Sequence, residues 1–133
     1  MGRQAPPDLV VPRFVILEHT GTPTYKPGTH WDLMFEAGKS LRTWELNALP
    51  TPGEIVLAQQ LADHRLDYLS YEGPITGGRG TVRRYDCGTY ELLRDSELEI
   101  EARLHGGQLN GRMQLIRDQA NPAIPWRLSL EPT

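Results

Sequence analysis

Thr29-His30-Trp31-Asp32-Leu33-Met34-Phe35-Glu36 is the stretch that decides the fold class. Trp31, Leu33 and Phe35 alternate with His30 and Asp32, which is the two-residue period of a β-strand. One face of this segment is apolar and suits a core. The other face presents an imidazole and a carboxylate, ligand types of divalent transition metals. Upstream, Arg13 to His19 (RFVILEH) is a compact apolar run that reads as another strand and ends in a second imidazole. His19, His30 and Asp32 together suggest a metal site on the outer face of a β-structure.

Working outward, Thr20 to Thr29 holds two glycines, two prolines and four threonines, which predicts a long loop. Ala37-Gly38-Lys39 predicts a tight turn into a strand over Ser40 to Asn47. Glu54 to Asp63 is ambiguous, because Ala58 to Ala62 favours helix while Glu54 to Leu57 favours strand. His64 to Gly73 reads as irregular or as a short helical turn. After the glycines at 77, 78 and 80, strands are expected at Thr81 to Tyr85 and Thr89 to Arg94, with Asp86-Cys87-Gly88 as a turn. Glu97 to His105 alternates, with Leu98, Ile100, Ala102 and Leu104 on one face. Arg112 to Arg117 and Trp126 to Leu130 complete the pattern. Short strands separated by glycine-rich turns make an all-β sandwich or barrel, with at most one short helix.

The chain has 133 residues, enough for one domain with one core. Residues 13–133 are expected to form that domain behind a flexible, proline-containing lead-in over 1–12. The net charge of −3 does not favour a grip on extended duplex through many phosphates, and leaves room for a pocket that takes one phosphate or one strand end. Cys87 is the single cysteine, so no internal disulfide forms, which fits a reducing compartment. No stretch is long and apolar enough for a membrane span, and no secretory signal is visible. A cytoplasmic protein is the expectation.

Several fragments in order resemble the 3′-phosphoesterase domain of bacterial DNA ligase D. They are Phe14 to His19, His30-Trp31-Asp32 through Glu36, Trp44, Asp63-His64-Arg65-Leu66-Asp67-Tyr68, Glu72-Gly73, Gly78 to Val82, Tyr85 to Tyr90, Leu104 to Gly106, Leu109 to Arg112, Arg117 and Trp126 to Leu128. The resemblance runs from Arg13 to Leu130. It implies a small closed β-barrel of about eight antiparallel strands with the active site in an outer groove, and it implies that Glu54 to Asp63 is strand. It further implies a manganese-type ion on His19, His30 and Asp32, with zinc or cobalt as alternatives, and His64 beside the scissile phosphate. The implied activity removes a 3′-terminal phosphate or ribonucleotide from a primer strand in DNA repair, with a separate ligase or polymerase as a partner. Two alternatives stand beside it: a non-catalytic relative that binds strand ends or a protein, and a phosphoesterase acting on a small molecule.

The chain departs from the family pattern at Met34, Leu17, Ala62 and Ala48, where the family carries arginine, glutamine, glutamate and lysine. Its loop between the first two ligands is ten residues, longer than the family's. A phosphoryl-transfer site needs cationic donors, and guanidinium suits phosphate through its planar fork. With Met34 in the arginine's place, Arg42, Arg79, Arg83 or Arg84 would have to substitute. Spacing does not choose among them, and each equally suits a solvent-facing strand. Histidine titrates near neutrality, which fits His64 for proton transfer to a leaving oxygen. His105 reads as a turn residue. Gly77 to Gly80 lacks the Lys-Ser/Thr of a phosphate loop. Trp31, Trp44 and Trp126 are assigned to the core, and Cys87 has no partner that would activate it.

Overall fold

The computed structural model describes residues 11–121 and 123–132. The lead-in expected over 1–12 therefore lies outside the described residues, except for Val11 and Pro12. Nine strands follow in order: β1 (Arg13–Thr22), β2 (Tyr25–Ala37), β3 (Ser40–Leu46), β4 (Val56–Arg65), β5 (Gly73–Pro74), β6 (Thr81–Asp95), β7 (Glu99–Gly106), β8 (Asn110–Ile116) and β9 (Trp126–Glu131). Among the described residues a single 3₁₀ turn, Leu66–Leu69, lies between β4 and β5. The strands form one antiparallel sheet in the order β1-β2-β3-β4-β9-β8-β7-β6-β5, and β1 also pairs with β6. That last pairing closes eight strands into a ring, as expected for a small barrel, with the two-residue β5 added beside β6. Closure leaves the ring without free edges.

The alternation of β2 sets the inside and the outside. Leu33 and Phe35 point inward and meet Phe14, Ile16, Trp44, Tyr90, Met113 and Trp126 in the main core. Aromatic edges fill the lumen: Phe35 and Tyr90 have ring centroids 5.0 Å apart, and Trp44 meets Trp126 edge-on at 5.9 Å. Each such ring removes enough apolar surface from water to contribute roughly 2–3 kcal/mol. A second cluster lies outside the ring. Val15, Leu17, Met34, Leu41 and Val82 are covered there by Leu66, Tyr68 and Leu69 of the 3₁₀ turn and by Ile75. Residues 14–17 are thus buried on both faces, which is why they read as an unbroken apolar run rather than an alternation.

Three local expectations are corrected. The segment Thr20 to Thr29 is not a long loop, since β1 and β2 continue as a hairpin until Thr22 pairs with Tyr25. Its β-branched threonines suit strand, and the irregularity is confined to a register shift between Thr20 and Thr22. Asp86-Cys87-Gly88 is not a turn, because β6 runs through it unbroken. Asp86 is buried and its carboxylate serves another loop, accepting the N–H groups of Gly107 and Gln108 at Oδ1 and of Leu109 at Oδ2. Gly88 is there because a Cβ would collide with the His105 carbonyl oxygen on β7. Leu98 precedes β7 and is exposed, whereas Ile100, Ala102 and Leu104 are buried as expected. Glu54 to Asp63 resolves as strand from Val56 onward, against the helix propensity of its alanines and glutamines.

Candidate metal centre

The pairing of β1 with β2 sets His19 directly opposite His30. Asp32 follows two residues along β2, so its side chain shares the outer face with His30. The two imidazole centroids are 4.4 Å apart. Nδ1 of His19 lies 3.6 Å from Oδ2 of Asp32, and Nε2 of His30 lies 3.3 Å from Oδ1. One ligand atom from each of the three residues falls within 4.8 Å of the other two. All three side chains are largely withdrawn from solvent, at 10%, 13% and 7% exposure for His19, His30 and Asp32.

Partners outside the trio orient it. Nε2 of His19 is 2.6 Å from the backbone carbonyl oxygen of Arg79. A carbonyl only accepts, so Nε2 carries a proton and Nδ1 is the nitrogen that faces Asp32, left to ligate a metal when the imidazole is neutral. Burial pushes the Asp32 carboxyl up, but the two facing imidazoles outweigh it and hold it at about 2. The same attraction pulls the His19 imidazole up, chiefly through Asp32 and against its burial. Despite this, Oδ1 of Asp32 is buried and accepts no hydrogen bond. Glu45 of β3 adds a carboxylate oxygen 3.4 Å from Nε2 of His30. A buried carboxylate between two nitrogen donors, with one oxygen unsatisfied, is a donor set that fits a divalent transition metal.

The trio forms one wall of an outer groove of about 620 Å³, whose floor includes Leu17 and Met34. His64 lines the same groove from β4, where the β3–β4 register places it opposite Leu41. Its Nδ1 is 2.9 Å from the Ala62 carbonyl oxygen, and its ring meets Tyr68 edge-on at 5.8 Å. Arg79 also lines the groove, with its guanidinium bonded to Thr76 through Nε and Nη2. The other candidate arginines are not in its wall. Arg42 pairs with Asp95 and stacks over Trp44, Arg83 pairs with Glu18, and Arg84 presents its backbone N–H to Glu72. His105 pairs with Glu91 across β6 and β7. Lys26 and Tyr25 line the groove although the sequence reading placed both in a loop and passed over them. Tyr68 lines it too, and its place in Asp63-His64-Arg65-Leu66-Asp67-Tyr68 was the available signal.

An eight-stranded antiparallel ring with a two-histidine, one-carboxylate constellation in an external groove defines a narrow structural class. Within it, the chain belongs to the DNA ligase D 3′-phosphoesterase domain family, whose model matches residues 21–117. Among curated proteins it is 34% identical over 124 residues to the multifunctional non-homologous end joining DNA repair protein LigD of Mycobacterium tuberculosis, covering 86% of this chain and 16% of that protein. The corresponding LigD protein of Mycolicibacterium smegmatis is 30% identical over 132 residues, covering 87% and 17%. That of Pseudomonas aeruginosa is 35% identical over 98 residues, covering 66% and 12%. The chain thus spans less than a fifth of the length of these relatives. Among the described residues, no helix is long and apolar enough to cross a membrane.

Proposed function

We propose that this chain is a metal-dependent phosphoesterase that removes a 3′-terminal phosphate or ribonucleotide from a nucleic-acid end during DNA repair. One observation carries the reading: the buried Asp32 carboxylate lies between two imidazoles at the wall of an open groove, with its Oδ1 accepting no hydrogen bond. An unpaired buried carboxylate oxygen is costly, and a cation shared with His19 and His30 satisfies it. His19 through Nδ1, His30 through Nε2 and Asp32 hold the ion. Imidazole donors favour a transition-metal ion such as zinc or cobalt over calcium or magnesium, and manganese is the ion that the family resemblance implies. When bound, such an ion supplies Lewis acidity to a phosphoryl oxygen.

The other residues act on the ester itself. Hydrolysis breaks the bond between phosphorus and O3′, water supplies the new oxygen on phosphorus, and O3′ leaves as a hydroxyl. His64 delivers the proton to O3′ from Nε2, while the Ala62 carbonyl holds Nδ1 and fixes the ring. Arg79 lines the groove that takes the phosphate. The family match and the end-joining names of the relatives support a nucleic-acid end as substrate. A second reading, a strand-end binder without turnover or a phosphoesterase for a small molecule, is favoured by Leu17 and Met34, which pack into a small apolar cluster where the family carries glutamine and arginine.

The test is a 5′-labelled primer ending in a 3′-phosphate, incubated with protein purified without chelator and supplied with manganese. Stoichiometric metal and a 3′-hydroxyl product are expected. Metal uptake with an intact primer would transfer the case to the second reading. A protein that takes up no metal overturns the proposal.

A further inference from the structure

Lys26 is, among the described residues, the one non-glycine residue in the left-handed region, with φ 44°. An L-residue holds that conformation against its steric preference, and such residues gather at functional sites. The cause is visible in the hairpin. The β1–β2 register shifts between Thr20 and Thr22, and Gly21 is pressed so closely on Lys26 that a Cβ there would collide with the Lys26 carbonyl oxygen. A bulge of this kind re-aims a side chain. Here it directs Lys26 to the groove that holds the trio. Nζ of Lys26 lies 2.6 Å from Oε1 of Glu45, and that same oxygen is 3.4 Å from Nε2 of His30. The ammonium is therefore one carboxylate away from a candidate metal ligand.

The groove has few other cations to offer an anion at this wall. Met34 shares the outer face two residues beyond Asp32 and is apolar. The Arg79 guanidinium is engaged by Thr76, and Arg65 borders the groove from the β4 side, beside His64. An ammonium carries three N–H donors, and the bond to Glu45 uses one. We propose that Lys26 binds a phosphoryl oxygen of the ester beside His19, His30 and Asp32, with Glu45 as the positioning residue that holds its ammonium there. This rests on the phosphoesterase reading and adds to it the residue that supplies positive charge to the substrate.

The test measures inorganic phosphate binding by titration calorimetry to manganese-loaded wild type and to Lys26→Met, Lys26→Arg and Lys26→Gly. Phosphate binding is expected to weaken roughly tenfold in Lys26→Met and Lys26→Gly and to be largely retained in Lys26→Arg. Manganese affinity should stay at the wild-type value in all three. Lys26→Gly also controls for folding, because glycine adopts the left-handed conformation freely and should keep or raise the melting temperature. If wild type binds manganese and phosphate and Lys26→Gly binds phosphate equally well, the role of Lys26 is overturned and the phosphoesterase reading stands. The role is likewise overturned if manganese affinity falls in step with phosphate affinity, since Lys26 would then support the metal site alone. A wild type that binds neither manganese nor phosphate overturns both.

Discussion

His19 and His30 are register partners across β1 and β2, and their rings sit 4.4 Å apart, centroid to centroid, above the Asp32 carboxylate. Two neighbouring strands thus supply three candidate ligands of two types at one point, and the backbone pairing fixes their spacing. Removing one ring leaves the other two groups in place on a rigid sheet. His30→Ala should therefore leave the fold intact while weakening manganese binding by roughly a hundredfold or more, beyond the loss typical of outer-sphere partners. Atomic emission on protein purified in parallel with wild type checks this. Uptake should also weaken on acidification through the histidine range. Asp32, held at about 2, stays ionised there, so protons compete with the ion at the imidazoles.

His64 separates chemistry from binding. It reaches the groove from β4, and its fixed nitrogen is tied to the Ala62 carbonyl rather than to the trio. His64→Gln should lower kcat on a 3′-phosphate primer by about 100- to 10,000-fold, the usual share of a positioned proton donor. KM and manganese affinity should hardly move. A fall in manganese affinity equal to that of His30→Ala would remove His64 from the proton-transfer role.

Glu36 gives a pH dependence with a definite sign. Its carboxylate accepts the backbone N–H of Arg13 and two guanidinium bonds, from Nε and Nη2. The Arg13 hydrogen bonds hold its carboxyl below the ordinary value of 4.5, against a small burial penalty. A depressed folded value means the contribution is present above the unfolded value and is lost as pH falls through the lowered one. The partner is half-exposed, so the pair contributes at most about 1 kcal/mol. Denaturant midpoints of wild type and Glu36→Gln should differ at pH 7 and converge as the pH falls below 4.5 and through the lowered value. A gap that stays constant over that range would rule the pair out as the cause.

The trio and its outer face were legible because a strand period of two is strict: once Trp31, Leu33 and Phe35 face a core, His30 and Asp32 must face away. The ordered motifs supplied what periodicity lacks, including the strand character of Val56 to Arg65 and the closure of the sheet. What stayed hidden depends on long-range contacts. Proline, glycine and threonine between His19 and His30 read as loop, yet strand pairing overrides them. Lys26 reaches the groove through a bulge that no local pattern announces. Spacing did not choose among Arg42, Arg79, Arg83 and Arg84, and of these only Arg79 borders the groove, from the segment before β6. Met34 and Leu17 are explained by packing: the 3₁₀ turn covers both, so this part of the outer face is a small core.

Asp86 is where a turn-like residue inside a strand serves a distant loop. Oδ1 accepts N–H groups from Gly107 and Gln108 at 2.9 and 3.1 Å, and Oδ2 accepts that of Leu109 at 2.8 Å. The carboxylate thereby accepts from three successive backbone donors of the β7–β8 connection, of which Gly107 also reaches the Cys87 carbonyl oxygen on β6 at 3.3 Å. Asp86→Asn keeps one acceptor oxygen and turns an amide N–H₂ toward a backbone N–H, so a buried donor goes unpaired. The cost should be about 2–3 kcal/mol, the range for a lost charge-assisted bond with its desolvation penalty. For a domain of this size that lowers Tm by roughly 10 °C. None of these residues borders the groove. Manganese affinity of the folded variant should therefore equal that of wild type, and a calorimetric scan paired with a metal titration tests both statements on one sample. A Tm within about 2 °C of wild type would mean that solvent satisfies the loop as well as the carboxylate does.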